Sequence, residues 1–356
     1  MTQVLDRLKS LISWSRMKFK PAKSRSLSLQ KGKVDDNTVF HIDGQAIPTV
    51  CEQPVKSLGR WYDRSLKDTM QSQGIKEEAE KGLKTINKTD LQGRFKVWIL
   101  QFMLIPKLLW PLQIYEVGLS AVEAIERKIS QYTRKWLGLP PGLTTVALYS
   151  RSTKLRLPLK AITEEYKVGK AKLQMMLTHS KDITISSAAT KLKSGRKWKV
   201  AQATDQATEA AKFKEILGAT QTNRHGLGFG QEKTVWWSQA SDKERRELVL
   251  DEIRHVEETS RVQTAVQQRQ QGQWTTWEQA LQRSLSWNDI WHMAPLRLSF
   301  IIRAVYDQLP TGVNLAHWNV EQGVKCALCG GTETLSHVLS SCKEALGSGR
   351  YTWRHN

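Results

Sequence analysis

Cysteine is scarce in this chain, which has only four cysteines in 356 residues. Small secreted proteins that depend on disulfides carry a much denser set, so a disulfide framework is excluded. Three of the four cysteines lie within Cys326–Cys342. In a reducing compartment, that clustering favours metal binding over cross-linking.

A long apolar run is also lacking. The longest one, Val97–Leu112, is shorter than the roughly 20 residues that cross a bilayer, and two prolines and two polar residues interrupt it. The chain start carries Asp6, Arg7 and Lys9 in place of the apolar core of a signal peptide. The sequence therefore predicts no membrane span and an intracellular protein, nuclear or cytoplasmic rather than secreted.

Acidic residues are outnumbered, with 34 Asp and Glu against 54 Lys and Arg and a formal net charge of +20. Residues 1–34 hold nine basic residues and one acid, and residues 151–214 hold fifteen basic residues and five acids. Because phosphate neutralisation dominates the affinity of proteins for nucleic acids, a polyanion is the first candidate partner. A basic protein that is merely soluble is the alternative that charge alone leaves open.

Apolar residues, in contrast, are plentiful. They make up 40% of the chain and include 14 tryptophans, which excludes a fully disordered protein. The length favours two or three domains. Seven tryptophans cluster within Trp236–Trp318. They could stack on bases, but aromatic residues at helical spacing more often belong to a core.

Local patterns predict an α+β fold that is predominantly α-helical, with a small N-terminal β-hairpin region. The first sixty residues are expected to form strands and turns, including a hairpin over Val39–Ile47 whose turn is Asp43-Gly44. Helical periodicity begins near Ser65. Pro106 is expected to kink or break the apolar helix that contains it.

Caps and breakers predict the later helices. Ser120–Glu123 has the pattern of a capping box, and Gly138 is expected to end that helix. Four further elements are expected: a linker with short helices at 180–235, a solvated polar helix at 242–270, a helix capped by Thr275–Glu278, and a helix over Leu296–Tyr306.

The strongest motif combines three cysteines and one histidine within seventeen residues: Cys326, Cys329, His337 and Cys342. This is the ligand set of a closed structural zinc site, in which no position remains for a catalytic water. Gly330 and Gly331 allow a tight knuckle whose N–H groups face the sulfurs, and a short helix over 333–341 is expected to carry His337. Three unrelated buried cysteines and a surface histidine are the alternative.

Basic residues surround this motif: Lys325, Lys343, Arg350, Arg354 and His355. A small zinc unit with a cationic rim is a common way to hold nucleic acid. Zinc knuckles that bind proteins carry similar rims, so both kinds of partner stay open.

Familiar catalytic motifs are absent. The sequence has no Gly-x-x-x-x-Gly-Lys phosphate loop, no His-Glu-x-x-His zinc helix and no Gly-x-Ser-x-Gly elbow. Asp35 and Asp36 are the only adjacent acids in the basic N-terminal segment. Their position just before the predicted hairpin favours a charged loop over the paired carboxylates of a two-metal site.

Several segments together resemble the reverse transcriptases of non-LTR retrotransposons. Met17–Arg25 is similar to the lysine-containing motif D of that family. Phe40–Pro48 and Val55–Gly59 are similar to the hairpin and the Leu-Gly primer grip that follow it. Trp61–Gly142 resembles the thumb. Leu296–Trp318 with the Cys-Cys-His-Cys unit is similar to the region after the thumb in elements with a restriction-like endonuclease.

The resemblance implies nucleic-acid contacts without an active site. In that family the aspartates that bind Mg²⁺ precede motif D and the nuclease acids follow the zinc unit, so both would lie outside this chain. Lys23 matches the motif-D lysine that assists departure of pyrophosphate in the full-length enzyme. The residues expected to contact RNA or DNA are Lys18, Lys20, Lys23, Arg25, Leu58, Gly59, Arg60, Arg350, Arg354 and His355.

Five parts are therefore expected: a partial palm at 1–60, a thumb-like helical domain at 61–142, a basic linker at 143–240, a helical Trp-rich domain at 241–319 and a CCHC zinc knuckle at 320–356. The expected function is that of a reverse-transcriptase fragment that holds RNA template and DNA primer or target during target-primed reverse transcription. Its other partners would be the missing polymerase and endonuclease parts of the same element. The alternatives are a zinc-dependent protein-interaction module and a decayed, non-functional element copy.

Overall fold

The computed structural model describes residues 2–31, 33–35, 37–42, 44–57, 60–65, 67–222, 236–278, 280–320 and 323–349. Within these ranges helices predominate, and the strands form small two-stranded sheets. The predicted α+β, predominantly helical fold class is confirmed.

The N-terminal region begins with a helix and continues in hairpins. Helix α1 (Thr2–Trp14) contradicts the expectation of strands at this position, and its Leu5, Leu8 and Ile12 recur at helical spacing. Three antiparallel pairs follow: β1 (Ser28–Gln30) with β2 (Lys33–Asp35), β3 (His41–Ile42) with β4 (Gln45–Ala46), and β5 (Val55–Ser57) with β6 (Arg60–Tyr62).

The predicted Asp-Gly hairpin is confirmed. Strand β3 pairs with β4 in the register His41↔Ala46 and Ile42↔Gln45, which leaves a two-residue turn. Gly44 has a φ of +76°, a left-handed conformation that glycine adopts without steric cost. Asp43, the other turn residue, lies outside the described residues.

The first helical core joins α2 (Thr69–Lys88), α3 (Gly93–Ile99), α4 (Ile105–Ile114) and α5 (Leu119–Trp136). Leu83, Leu100, Leu112 and Val122 are fully buried in it. Burying each such side chain stabilises the fold by about 1.5–3 kcal/mol. These four helices therefore form one packed unit.

Pro106 does not break the apolar helix. A π-helical turn, Leu100–Leu104, joins α3 to α4, and the N–H of Ile105 reaches the carbonyl of Leu100 five residues back. Such a turn relieves the clash between a proline ring and the turn before it. The joined helix, Gly93–Ile114, has 22 residues and a mean hydropathy of 1.4, enough to cross a membrane by length and composition alone. Its buried side chains pack into the first helical core.

Helix α5 ends as predicted but begins differently. Gly138 has a φ of +64° and follows the last turn. The N-cap is Gly118, which makes no side-chain cap, so the predicted capping box at Ser120–Glu123 is wrong. Glu123 instead forms an ion pair with Lys197, in which Oε1 lies 2.5 Å from Nζ.

The chain then forms the short α6 (Val146–Tyr149) and strand β7 (Leu155–Arg156), followed by a second helical core. That core packs α7 (Ile162–Thr178), α9 (Val200–Thr222) and α10 (Asp242–Gln267) together, with α8 (Ile183–Ser187) between α7 and α9. The expectation of short helices alone is wrong at α9, which has 23 residues. The long helix α10 is confirmed, but it is not simply solvated, because it buries Val249, Leu250 and Ile253.

Apolar residues of the C-terminal part pack against the segment that follows α5, and together they form a third core. Its elements are β8 (Arg283–Ser284), α11 (Trp287–His292), α12 (Pro295–Val305), α13 (Gly312–His317) and α14 (Lys343–Gly347). Strand β8 pairs in parallel with β7. The predicted cap at Thr275–Glu278 is wrong, because Ser286 and Asp289 form the capping box of α11. Helix α12 confirms the helix predicted over Leu296–Tyr306.

Candidate metal centre and basic surfaces

Cys326 and Cys329 lie on a tight loop closed by backbone hydrogen bonds. The N–H of Cys326 donates to the carbonyl of Gly331 at 2.7 Å, and the N–H of Gly330 donates to the carbonyl of Cys326 at 2.9 Å. Gly330 has a φ of +71°, a conformation that other residues rarely adopt. Lys325 and Thr332 pair across the base of the loop. The sequence folds here into the predicted knuckle.

Backbone N–H groups favour the thiolate form of these cysteines. The N–H groups of Cys329 and Leu328 point at the sulfur of Cys326, with the His337 ring beside it, and lower the pKa of Cys326 to about 6. The N–H of Gly331 also faces the sulfur of Cys329, but burial and the neighbouring thiols of Cys342 and Cys326 raise the pKa of Cys329 overall. Because the thiolate is the form that binds metal, this loop is prepared for a cation.

His337 and Cys342 come from the helical turn that follows. Thr334 caps this turn, since its Oγ1 and carbonyl accept hydrogen bonds from the N–H groups of His337 and Val338 at 3.2 and 3.0 Å. The segment His337–Ser341 is a π-helical turn, and Cys342 follows directly at the start of α14, 2% exposed. The prediction that a short helix carries His337 and ends just before Cys342 is confirmed.

The four ligand atoms lie within 4.8 Å of one another. The sulfurs of Cys326 and Cys342 are 4.0 Å apart, and the sulfur of Cys329 is 3.3 Å from Nε2 of His337. Tetrahedral zinc, with bonds of about 2.3 Å to sulfur and about 2.0 Å to nitrogen, requires ligand separations of roughly 3.5–3.8 Å. The separations of 4.0 and 3.3 Å each lie within about 0.3 Å of these values. Four protein ligands make the site structural rather than catalytic. This is a closed Cys₃His zinc site.

The segment that carries this site matches a known family. Residues 270–348 match the family model described as zinc-binding in reverse transcriptase. The match contains all four ligands and extends back through α13, α12 and α11. The C-terminal part of the chain is therefore a zinc-binding domain of the reverse-transcriptase type. No curated protein matches the chain.

The start of α13 contacts residues on both sides of the zinc loop, Gly323 and Glu333. A Cβ atom at Gly312 would lie 2.8 Å from the carbonyl oxygen of Gly323 and 3.1 Å from Oε2 of Glu333, so only glycine fits. The N–H of Val313 donates to the carbonyl of Glu333 at 3.3 Å. These residues were missed in the sequence, where a lone glycine before a short helix is no distinctive signal.

The predicted nucleic-acid residues near the N-terminus divide into two kinds. Lys18, Lys20 and Lys23 are exposed. Arg25 is not: its guanidinium donates to four acceptors, namely the carbonyls of Ala22, Ser24 and Gln53 and the side chain of Gln53. Arg25 therefore fixes the loop that presents the three lysines.

Arg60 is also engaged inside the protein. It pairs with Asp68 at 3.2 Å and lies over the rings of Tyr62 and Tyr115, 5.5 and 5.9 Å from their centroids. Asp68 in turn accepts a hydrogen bond from the N–H of Glu116 at 2.7 Å. This network links β6 to the start of α2 and the end of α4.

Other predicted contacts lie outside the described residues: Leu58, Gly59, Arg350, Arg354 and His355. Lys325 and Lys343, the described members of the basic rim, are exposed. Asp35 accepts hydrogen bonds from the hydroxyl of Thr38 and the N–H of Asn37, which lower its pKa. Such bonds are typical of an aspartate that starts a turn, but Asp35 is the last residue of β2, paired with Ser28, so the predicted loop position is wrong for it. Asp36 lies outside the described residues.

Proposed function

We propose that this protein binds nucleic acid as part of a reverse transcriptase of a non-LTR retrotransposon with a restriction-like endonuclease. Its role is to hold RNA template and DNA primer or target during target-primed reverse transcription. The observation that carries this proposal is the match of residues 270–348 to the family model described as zinc-binding in reverse transcriptase.

The distribution of charge supports a nucleic-acid partner. Beyond Lys18, Lys20 and Lys23, the connection around α8 is strongly basic, since residues 180–199 contain six Lys and Arg and a single acid, Asp182. Lys193 and Lys197 pair with glutamates of neighbouring elements. All six side chains are exposed: Lys181, Lys191, Lys193, Arg196, Lys197 and Lys199.

The proposed division of labour follows the chain. Residues 1–60 serve as the distal palm with a primer-grip-like hairpin, residues 61–142 as the thumb, and residues 143–240 as a basic linker. Residues 241–319 form the helical Trp-rich domain, and residues 320–356 contain the zinc knuckle. The role proposed for all of them is binding, with RNA and DNA as partners.

Salt dependence tests this proposal. The zinc-loaded full chain is titrated with a fluorescent RNA–DNA primer-template at several salt concentrations. We expect the affinity to fall steeply, because each phosphate contact adds about 0.7–0.9 to the slope of log affinity against log salt. A slope near zero contradicts the proposal. Binding of a protein partner that survives high salt and disappears on chelation would favour the protein-interaction alternative.

Two matched triple variants sharpen the test. Replacing Lys18, Lys20 and Lys23 with alanine should reduce the salt slope by about two units. The control replaces Lys107, Lys128 and Lys212, which already pair with Glu78, Glu80 and Glu209. Both variants lower the net charge by three, so a difference between them reports contacts rather than overall charge.

A further inference from the structure

Four aromatic rings from two distant segments form one continuous surface, here called the aromatic face: Trp98, Phe102, Trp287 and Trp291. The ring centroids of Trp98 and Phe102 are 5.2 Å apart, those of Phe102 and Trp287 are 5.4 Å apart, and those of Trp98 and Trp291 are 6.3 Å apart. The expectation that the C-terminal tryptophans are core holds for Trp274, which is 3% exposed. It does not hold for Trp291, which is 40% exposed.

Two of the rings are open to solvent. Phe102 is 51% exposed and Trp291 is 40% exposed, and Met103, the residue after Phe102, is 61% exposed. Trp98 contacts both Phe102 and Trp291, so the two exposed rings belong to one apolar cluster. An apolar cluster that stays open to solvent is a candidate binding site.

The aromatic face is held rigidly. Arg94 of α3 donates hydrogen bonds from Nη1 to the backbone carbonyls of Trp291 and Met293. These bonds tie the end of α11 to α3, and Trp287 packs against the third core. A face fixed in advance loses little entropy when a flat ligand stacks on it.

The segments that build and border the aromatic face are rich in basic residues. The three segments that build it and border it, 93–110, 154–160 and 281–303, contain nine Lys and Arg and one acid, Asp289. The Asp289 carboxylate caps α11, because it accepts hydrogen bonds from the N–H and the hydroxyl of Ser286 at 2.7 and 2.6 Å.

Three exposed basic residues lie on backbone segments that are joined directly to the aromatic face. The backbone of Lys160 exchanges two hydrogen bonds with the side chain of Gln101, the residue before Phe102: the N–H of Lys160 donates to Oε1, and its carbonyl accepts from Nε2. The Lys160 side chain is exposed. Arg156 and Arg283 are both exposed on the β7–β8 pair, and β8 leads within three residues to Trp287. Phosphates of a strand whose bases lie on the rings would meet these side chains.

We infer that the aromatic face binds single-stranded nucleic acid by stacking bases on Phe102 and Trp291, with Arg156, Lys160 and Arg283 neutralising the adjacent phosphates. Exposed rings beside a basic groove are how proteins hold single strands without reading their sequence. A duplex, with its bases already stacked, cannot use the rings. The inference rests on the proposed function and adds where and how an unpaired strand is held.

The test separates stacking from phosphate attraction. The zinc-loaded full chain is titrated with a twelve-nucleotide oligothymidylate and with an oligomer of equal length and charge whose bases are removed. We expect the intact strand to bind at least about tenfold more tightly, because stacking one base on an aromatic ring changes affinity by that order. Equal affinity for the two strands overturns the inference. If both bind with a steep salt slope, the proposed function survives; if neither binds, the proposed function fails as well.

Variants locate the effect. Phe102→Leu with Trp291→Leu should remove the preference for the intact strand and leave the salt slope unchanged. The matched control is Trp110→Leu, since Trp110 is 60% exposed on the same joined helix but lies two turns away. It should retain the preference. Zinc content and circular dichroism verify that each variant is folded.

Three results contradict the inference. One is a double variant that keeps the full preference for the intact strand. The second is loss of self-association in sedimentation by the double variant, which would make a second copy of the chain the occupant. The third is binding of neutral phosphatidylcholine vesicles that the double variant loses, which would make a lipid surface the occupant.

Discussion

Gln270 donates a hydrogen bond from Nε2 to Oδ1 of Asn314 at 2.6 Å. This bond joins the first residue of the zinc-binding family match to the buried centre of α13. Asn314 is 1% exposed, and its Nδ2 donates to the carbonyls of Asp307 and Leu309 and to Oδ1 of Asp307. One amide thus fixes the turn that positions the zinc loop.

Replacing Asn314 with alanine should destabilise the C-terminal part by about 2–3 kcal/mol, because buried carbonyls lose their donor. Urea unfolding followed by tryptophan fluorescence measures the change. Asn288→Ala is the control: Asn288 is exposed on α11, so its replacement should change stability by less than about 0.5 kcal/mol. Equal effects of the two substitutions would refute the role given to Asn314.

Zinc content tests the metal centre. We expect one zinc per chain, lost in Cys342→Ser and retained in Cys51→Ser, since Cys51 lies far from the site in the sequence and is not one of its ligands. Loss of zinc should open the segment after Gly323 to protease, because so short a unit depends on its metal to fold. Elemental analysis and limited proteolysis give both readouts, and full zinc occupancy in Cys342→Ser would contradict the ligand assignment.

A buried ion-pair network should be far more sensitive than a surface pair. Glu164 is 4% exposed and pairs with Arg151 and with Arg261, the latter at 2.6 Å. Glu164→Ala should cost about 2–3 kcal/mol, because two charge-assisted contacts are lost while Arg261 keeps its pair with Glu258. Glu209→Ala, which removes the exposed partner of Lys212, should cost less than about 1 kcal/mol. Chemical denaturation of both variants makes the comparison.

Lys170 should make stability depend on alkaline pH. It is 1% exposed and donates to the carbonyls of Gln113 and Tyr115, and burial lowers its pKa from 10.5 to about 8. The unfolded chain therefore binds more protons between these values, so the contribution of Lys170 to stability rises from pH 8 to 10.5 and is lost as pH falls through 8. The unfolding free energy of the wild type minus that of Lys170→Met should therefore increase from pH 8 to 10.5. A difference that is constant with pH would rule out the lowered pKa.

Features encoded within a few residues were predictable from the sequence. The zinc ligands, the Asp-Gly hairpin and the stop at Gly138 each depend on neighbours in the chain. Spacing and residue type therefore suffice for them.

Features that depend on distant partners were not predictable. Ser120–Glu123 and Thr275–Glu278 have the residue types of a capping box, but Glu123 is taken by Lys197 and the true cap lies at Ser286. Arg25 and Arg60 look like surface cations until the fold provides their acceptors. The aromatic face joins residues almost two hundred positions apart, so no local sequence pattern predicts it.

Photocrosslinking tests the central claim most directly. The zinc-loaded full chain is bound to a primer-template that carries 4-thiouridine in the template and 4-thiothymidine in an unpaired extension, irradiated, digested and analysed by mass spectrometry. We expect crosslinked peptides from residues 17–25 and from the basic segment 180–199, and peptides of the aromatic face on the unpaired extension. A folded, zinc-loaded chain that yields no crosslinks in these segments would contradict the claim that they hold nucleic acid.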